Sequence, residues 1–294
     1  MRSVIIAVIG RPNVGKSTLL NRLIGEKLSI VSRRPQTTWQ RLNVIVTTED
    51  AQFVFIDTPG LDHSRTSDFI SLLSRLSISA MGDAHVLMHI VEPRVDERET
   101  SMIKEIGKFK NKTKLLLINK IDLLKNKQLL LPVINRYAGM KIYNDILPVS
   151  AKIGDGMDEL LSVLKKYTTV DGLLYTEDTI TDKYEKELVA EIVREKLFLL
   201  TGEEIPYASA CTVEKFDESE RDKIIRIHAM IYVEKNSQKG IVIGNKGSMI
   251  KRIGTAARLD LEQLLGTKVY LELYVKVKPG WKKDQLFLEE IGLK

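Results

Sequence analysis

Cysteine, long apolar runs and low-complexity tracts are scarce or missing in this 294-residue sequence, and each absence excludes a class of protein. The single cysteine, Cys211, has no second thiol for an internal disulfide and no neighbouring cysteine for a metal knuckle, which predicts a reducing, cytoplasmic compartment. No apolar stretch reaches the roughly 18 residues of a membrane span, and the N-terminus enters a predicted strand at once, without a signal peptide. No tract rich in Gly, Ser or Pro indicates disorder. We therefore expect a globular cytoplasmic protein.

Positive charge is concentrated in the C-terminal third of the chain. The formal net charge is +6, and the segment 235–283 holds eleven Lys and Arg against three Asp and Glu. This surplus indicates a polyanionic partner for the C-terminal part, although a modest excess of charge does not separate nucleic acid from an anionic membrane surface.

The pattern of elements predicts two domains. Strand-like and helix-like segments alternate over residues 1–168, which predicts an α/β domain with a mainly parallel sheet and helices on both faces. Residues 169–181 are polar without a clear period and are interpreted as a linker. Residues 182–294 follow the order α-β-β-α-α-β, with helices expected near 246–253 and 254–265, and therefore predict an α+β domain with a C-terminal tail.

A phosphate-binding loop lies at residues 10–17, with the sequence GRPNVGKS, between an apolar strand and a helix. Glycines let several backbone N–H groups face one anion, the helix N-terminus adds its positive dipole, and Lys16 supplies a full charge. The Ser17 hydroxyl is a ligand for Mg²⁺. The predicted phosphate-contacting residues are Asn13, Val14, Gly15, Lys16, Ser17 and Thr18.

Three further loops indicate a guanine nucleotide. The sequence Asp57-Thr58-Pro59-Gly60 follows a predicted strand, so that Asp57 can hold Mg²⁺ through water and the Gly60 N–H can meet a γ-phosphate. In Asn119-Lys120-Ile121-Asp122, the aspartate can accept hydrogen bonds from guanine N1–H and its exocyclic amine. Adenine leaves that carboxylate unpaired at a cost of several kcal/mol. In Ser150-Ala151-Lys152, a small residue lets a backbone N–H approach guanine O6.

In this order the motifs resemble the small GTPase-type P-loop domain, which implies Mg²⁺-assisted hydrolysis of GTP to GDP. The implied Mg²⁺ ligands are Ser17, Thr38 in preference to Thr37, and Asp57. Leu61 replaces the water-orienting glutamine, which implies slow intrinsic hydrolysis. Asn13 matches an asparagine that coordinates K⁺ in several relatives, and its alternative role is that of a loop-stabilising amide. The expected catalytic residues are Lys16, Asn13, Thr38 and Gly60.

A second glycine loop, Gly244-Asn245-Lys246-Gly247, precedes a predicted helix in the basic C-terminal part. Glycines at this spacing let a phosphodiester backbone approach closely. With its apolar flanks and the order of its elements, this part resembles a KH domain, which clamps about four nucleotides of a single strand. The candidate RNA-binding residues are Ile243, Gly244, Asn245, Lys246, Gly247 and Lys251.

Together the two halves resemble the Era family of bacterial GTPases over essentially the whole chain. The resemblance implies binding to the 3′ end of small-subunit ribosomal RNA, a role in assembly of the 30S subunit, and switch segments that act on the KH domain. Trp39 departs from the arginine usual in the family. Trp281 either stacks on a base or anchors the C-terminal segment.

Two other functions stay open from the sequence. The basic domain of a GTPase could instead meet protein partners or the inner membrane as a peripheral protein on its cytoplasmic side. A GTPase that modifies RNA would need a nucleophile or cofactor motif, and the sequence offers only Cys211 in a strand-like segment.

Overall fold

The computed structural model describes residues 1–25, 38–60, 68–202 and 204–293. Contacts divide the described chain into two compact units, the first ending at Asp182 and the second beginning at Lys183. In these ranges, no helix is both long and apolar enough to span a membrane.

The first unit is a sheet of mainly parallel strands with helices between them. Its strands are β1 (Arg2–Gly10), β2 (Leu42–Thr47), β3 (Ala51–Asp57), β4 (Val86–Val91), β5 (Thr113–Ile118), β6 (Asp145–Pro148) and β7 (Val170–Asp171). Its helices are α1 (Lys16–Ile24), α2 (Asp68–Asp83), α3 (Thr100–Lys108), α4 (Leu130–Gly139) and α5 (Met157–Lys165).

The strand order is β2-β3-β1-β4-β5-β6, with β2 antiparallel to β3 and the pairs from β3 to β6 parallel. Every residue of β3 and β4 is buried, as expected for strands that helices cover on both faces. The predicted α/β fold with a mainly parallel sheet is therefore confirmed. Because parallel strands end at one edge, the loops after β1, β3 and β5 meet there.

The segment 169–181, which the sequence predicts as a linker, lies against the first unit. Strand β7 pairs antiparallel with the start of β1. The Gln52 side chain accepts hydrogen bonds from Leu174 N at 2.9 Å and Tyr175 N at 3.0 Å, and Ile45 N donates to Ile180 O at 3.0 Å. Backbone hydrogen bonds to a buried glutamine leave no periodic pattern, which is why the sequence does not indicate this docking.

The second unit packs helices on a mixed sheet of strand order β10-β9-β8, with β8 and β9 antiparallel and β9 and β10 parallel. This confirms the predicted α+β fold. Its elements are α6 (Glu185–Leu200), α7 (Ile205–Ala208), β8 (Ser209–Asp217), β9 (Ile224–Val233), α8 (Asn236–Ile243), α9 (Ser248–Leu265), β10 (Lys268–Val277) and α10 (Gln285–Glu290).

The helix pair of this unit differs from the prediction. The first helix is α8, which precedes the glycine loop, and residues 248–265 form one helix rather than two. Gln238 stabilises the start of α8 by accepting from Glu234 N and Lys235 N, both at 3.0 Å. Gly254 lies inside α9 and does not break it, because the helix packs closely on the sheet at this residue. A Cβ added at Gly254 would lie 3.5 Å from Leu273 Cδ1.

Trp281 anchors the C-terminal segment. Its side chain is fully buried, its Nε1–H donates to Ala208 O at 3.1 Å, and its ring meets Phe287 edge to face at 5.8 Å. A ring with no exposed surface cannot stack on a base, so of the two roles considered the anchor is the one this geometry allows.

We expect Trp281→Ala to lower the free energy of unfolding of the second unit by about 3–5 kcal/mol, because it leaves a cavity and an unpaired carbonyl. Urea unfolding followed by circular dichroism measures this loss. The exposed Lys283→Ala is the matched control and should stay within about 0.5 kcal/mol of the parent. Equal stability of the two variants would contradict the anchoring role.

Candidate nucleotide and RNA sites

The phosphate loop connects the end of β1 to the start of α1 and depends on a close approach at Gly15. Gly15 has φ 103°, and an added Cβ would overlap the side-chain amide of Asn119. Asn119 Nδ2 donates to Val14 O at 2.8 Å. The amide after β5 therefore holds the curled backbone of the loop after β1 and requires glycine beside it.

Lys16 is buried at the centre of this loop, with 7% of its surface exposed. Its ammonium donates to Gly10 O at 3.1 Å and Arg11 O at 3.2 Å. Burial lowers the pKa of Lys16 from 10.5 to about 8, against the opposing influence of the Asp57 and Glu99 carboxylates. A desolvated ammonium of this kind is stabilised by any phosphate oxygen that reaches it.

Three side chains with oxygen atoms that can bind a metal ion converge beside the loop. Ser17 Oγ lies 3.2 Å from Asp57 Oδ2 and 3.4 Å from Thr38 Oγ1, and Thr38 Oγ1 lies 3.5 Å from the same carboxylate oxygen. Two hydroxyls and one carboxylate form a hard oxygen donor set, which fits Mg²⁺. Thr37, the alternative to Thr38, lies outside the described residues.

The loop after β3 packs directly against the phosphate loop. Thr58 is buried, and its hydroxyl donates to Val8 O of β1 at 2.7 Å. A Cβ added at Gly60 would lie 2.9 Å from Pro12 N. Gly60 therefore lies close enough to the phosphate loop for its backbone to reach a bound phosphate.

The loops after β5 and β6 are joined by hydrogen bonds at the site predicted for the base. Ala151 N donates to Asn119 Oδ1 at 3.0 Å, and Ser150 Oγ donates to Asp122 Oδ1 at 2.6 Å. Lys152 is exposed. The Asp122 carboxylate is thus oriented by a neighbouring hydroxyl. A carboxylate that selects a base by its hydrogen-bond donors needs such a fixed orientation.

Lys120 and Asn13 connect the base-side loop to the phosphate loop. Lys120 Nζ donates to Asn13 O at 2.5 Å and to Glu92 Oε1 at 2.6 Å. Asn13 adopts a positive φ of 66°, which asparagine tolerates better than most residues. The Lys120 ammonium therefore holds the backbone carbonyl of Asn13 in the phosphate loop.

Several contacts of the site are not indicated by the sequence motifs. Arg22 donates from Nε to Ala151 O at 3.2 Å and from its Nη2 to Lys152 O. Arg11 pairs with Asp96 at 2.8 Å beside Asn13. Such contacts join segments far apart in sequence, so only the tertiary fold reveals them. Leu61, which replaces the glutamine, lies outside the described residues.

Trp39, the departure noted in the sequence, is buried, with 3% of its surface exposed. Its ring meets Phe69 of α2 edge to face at 5.1 Å. The indole therefore packs as a core residue of the first unit, next to Thr38.

The second glycine loop lies between α8 and α9 and contains three residues with positive φ. These are Gly244 at 73°, Lys246 at 47° and Gly247 at 80°. A Cβ at Gly244 would lie 2.7 Å from Met249 N, whereas one at Gly247 would meet no atom within 4 Å. Gly247 therefore faces open space, as close approach of a phosphodiester backbone requires.

The aliphatic residues around this loop divide between core and surface. Val242 and Ile253 are fully buried, Ile243 and Ile250 are half-buried, and Ile241 is 48% exposed. Asn245, Lys246 and Lys251 are exposed. The predicted RNA-binding residues thus form an exposed basic loop beside a partly apolar wall.

The pKa of Lys16 leads to a prediction for the nucleotide-free protein. Because the folded-state value of about 8 lies below 10.5, the folded state binds fewer protons than the unfolded chain between these values. The buried charge therefore costs stability below pH 8, by roughly 3 kcal/mol, and this cost disappears as pH rises toward 10.5. Lys16→Met should be more stable than the parent at pH 7, and this difference should shrink by pH 10.

Urea unfolding at pH 7, 8.5 and 10 measures the difference, with the exposed Lys166→Met as the matched control. A stability gain that does not change with pH would show that packing, rather than the buried charge, distinguishes the variant.

Comparison with known proteins finds a matching family model for each of the two units. A family model described as 50S ribosome-binding GTPase matches residues 5–120, and a KH domain model matches residues 204–282. The GTPase Era of Syntrophus aciditrophicus is 44% identical over 292 residues, which cover 99% of this chain and 95% of that protein.

Two solved structures are similar over the whole chain. One is Era in complex with MgGDPNP and nucleotides 1506–1542 of 16S ribosomal RNA, and the other is an Aquifex aeolicus Era variant bound to GDP and AlF₄⁻. Each has a TM-score of 0.94 and 35% identity, and covers 100% of this chain and 99% of its own. With a relative of this identity over nearly the full length of both proteins, the chain belongs to the GTPase Era family.

Proposed function

We propose that this chain is a GTP-hydrolysing RNA-binding protein that binds the 3′ end of small-subunit ribosomal RNA during assembly of the 30S subunit. The observation that carries the proposal is the exposed loop 244–247, with three positive φ angles, in a chain that also holds a guanine-nucleotide site. Similarity to the Era structure with MgGDPNP and 16S RNA supports it.

In the nucleotide site, the loop 13–18 binds the phosphates and Lys16 contacts them from its buried position. Asp122 accepts hydrogen bonds from the guanine N1–H and amine. The Ala151 backbone is fixed at the base side of the site by hydrogen bonds to the side chains of Asn119 and Arg22. Lys120 braces Asn13, and Ser150 orients Asp122. GTP and GDP are the nucleotides this arrangement selects, because adenine would leave the Asp122 carboxylate unpaired.

Hydrolysis requires charge neutralisation on the phosphates and an aligned water. Ser17, Thr38 and Asp57, whose oxygens lie within 3.5 Å of one another, would hold Mg²⁺, which would supply part of that charge. Lys16 supplies a second positive charge, and the Gly60 N–H, close to Pro12, donates to the γ-phosphate. In one of its two candidate roles, Asn13 would hold K⁺ as a further cation. With leucine at position 61 the chain has no glutamine there to orient water, so intrinsic hydrolysis is slow.

In the RNA site, the backbone of residues 243–247 approaches the phosphodiester chain, and Lys246 and Lys251 add positive charge beside it. The half-buried Ile243 and Ile250 form an aliphatic wall for the bases. A GTPase domain of residues 1–168, on which segment 169–181 docks, and an RNA-binding domain of residues 182–294 belong to this proposal, as does a cytoplasmic location. Peripheral association with the inner membrane stays a prediction from the sequence.

Binding of RNA nucleotides 1506–1542 is the test of this function. We expect Gly247→Asp to weaken binding by about tenfold or more, because it places a carboxylate where phosphate approaches. Its Cβ meets no neighbour, and aspartate tolerates the positive φ of 80° at this position better than most residues. The matched control, Gly240→Asp, adds the same charge on the exposed side of α8 and should change affinity by less than about threefold.

The binding is measured by fluorescence anisotropy with a non-hydrolysable GTP analogue and with GDP. Higher RNA affinity with the analogue than with GDP supports control of RNA binding by the nucleotide. Equal affinity rejects that control but not the RNA site. Equal losses for the two variants would reject the KH site, and preference for large-subunit RNA would reject the 30S assignment.

Potassium distinguishes the two roles of Asn13. If its side chain coordinates K⁺, GTP hydrolysis should be about tenfold or more faster in KCl than in NaCl, because the cation neutralises developing charge. Asn13→Gly, which keeps the positive φ available, should abolish that difference.

Single-turnover hydrolysis in the two salts gives the result. If the amide only stabilises the loop, Asn13→Gly instead weakens nucleotide binding equally in both salts. Equal parental rates in KCl and NaCl would remove the role in K⁺ binding.

A further inference from the structure

A buried serine on α2 contacts the peptide that joins Pro59 to Gly60. Ser77 has no exposed surface, and its Oγ lies 2.8 Å from Pro59 O and 3.1 Å from Leu73 O. A serine hydroxyl has one proton and therefore donates to one of these two carbonyls at a time. The shorter distance favours Pro59.

The contact with Pro59 O constrains the N–H of Gly60. A trans peptide is planar, and its C=O and N–H point in opposite directions. Thr58 is tied to β1 through Val8 O, and Gly60 packs against Pro12 of the phosphate loop. With both flanks held, a hydrogen bond to Pro59 O fixes the remaining rotation of this peptide and thus the direction of the Gly60 N–H.

The second acceptor gives this peptide an alternative arrangement. If the Pro59–Gly60 peptide turns, the Ser77 hydroxyl can donate to Leu73 O, one helical turn earlier on α2. The buried Ser77 hydroxyl then still has an acceptor. Rotation of the peptide therefore avoids the main penalty of breaking a buried hydrogen bond, which is an unpaired donor. The two arrangements differ in where the Gly60 N–H points.

We propose that Ser77 is a positioning residue that orients the Pro59–Gly60 peptide and thereby contributes to discrimination of GTP from GDP. The inference rests on the proposed function, in which the Gly60 N–H donates to the γ-phosphate. Because GDP has no γ-phosphate, the orientation of this N–H affects affinity for GTP alone.

The test is the affinity of Ser77→Ala for a non-hydrolysable GTP analogue and for GDP, measured by isothermal titration calorimetry on the full chain. The loss of one oriented hydrogen bond should weaken the analogue about fivefold to tenfold and leave GDP within about twofold. Ser79→Ala is the matched control, since Ser79 is an exposed serine of the same helix.

Ser77→Cys separates the hydrogen bond from packing. A thiol fills the space of the hydroxyl but is a weak donor, so this variant should show the same selective loss as Ser77→Ala. Equal weakening of both nucleotides in both variants, or unchanged affinity for the analogue, would overturn the inference. GDP binding reports on folding in every sample. If one of the two Ser77 variants does not fold, it is recognised by its loss of GDP binding, and the other variant tests the inference.

Gly60→Ala distinguishes failure of this inference from failure of the proposed function. Its Cβ would press on Pro12 N and displace the same peptide. If Gly60→Ala loses the analogue selectively and the Ser77 variants do not, only the role of Ser77 is wrong. If none of these variants is selective, Gly60 does not contact the γ-phosphate.

Discussion

The side-chain amide of Asn119 is the constraint on which the nucleotide site depends. It donates to Val14 O and accepts from Ala151 N, so one residue after β5 fixes the loops after β1 and β6. It fits only because Gly15 has no Cβ, whose position the amide occupies. Phosphate binding and base recognition are therefore coupled, since the loop that curls around phosphate is held by the residue that positions the base-side backbone.

The hydrogen bonds of this amide also help to explain why the site can bury the charge of Lys16, at a cost in folding stability, without disrupting the fold. Lys16 is buried among carbonyl groups with a lowered pKa, a state that by itself opposes folding. The surrounding loops are held by bonds that do not involve Lys16, including those of Asn119 and of Thr58 to Val8 O. A rigid frame thus keeps a desolvated charge ready for an anion, which is the preorganisation that phosphoryl transfer needs.

The sequence predicts the parts of the molecule that local pattern determines. Gly10–Ser17, Asp57 and Asn119 follow apolar strands, and the parallel order of those strands brings them to one edge of the sheet. Contacts of the type made by Arg22, Ser77 and Gln52 are not predictable, because each joins a side chain to a distant backbone group without any periodic signal. The sequence does not predict helix α8 for a related reason: its glycine and β-branched residues do not favour a helix, and Gln238 and core packing of Val242 stabilise it instead.

The two glycine loops use one physical principle for the two different ligands proposed for them. Both lead into a helix N-terminus and need positive φ, yet Lys16 is buried whereas Lys246 and Lys251 are exposed. A buried lysine in a closed loop interacts strongly with one terminal phosphate group and resists screening by salt. Exposed lysines beside an open loop interact weakly with each phosphate and can follow a polymer, with strong dependence on salt. The burial of the lysine, more than the glycine spacing, is therefore what separates the nucleotide site from the RNA site.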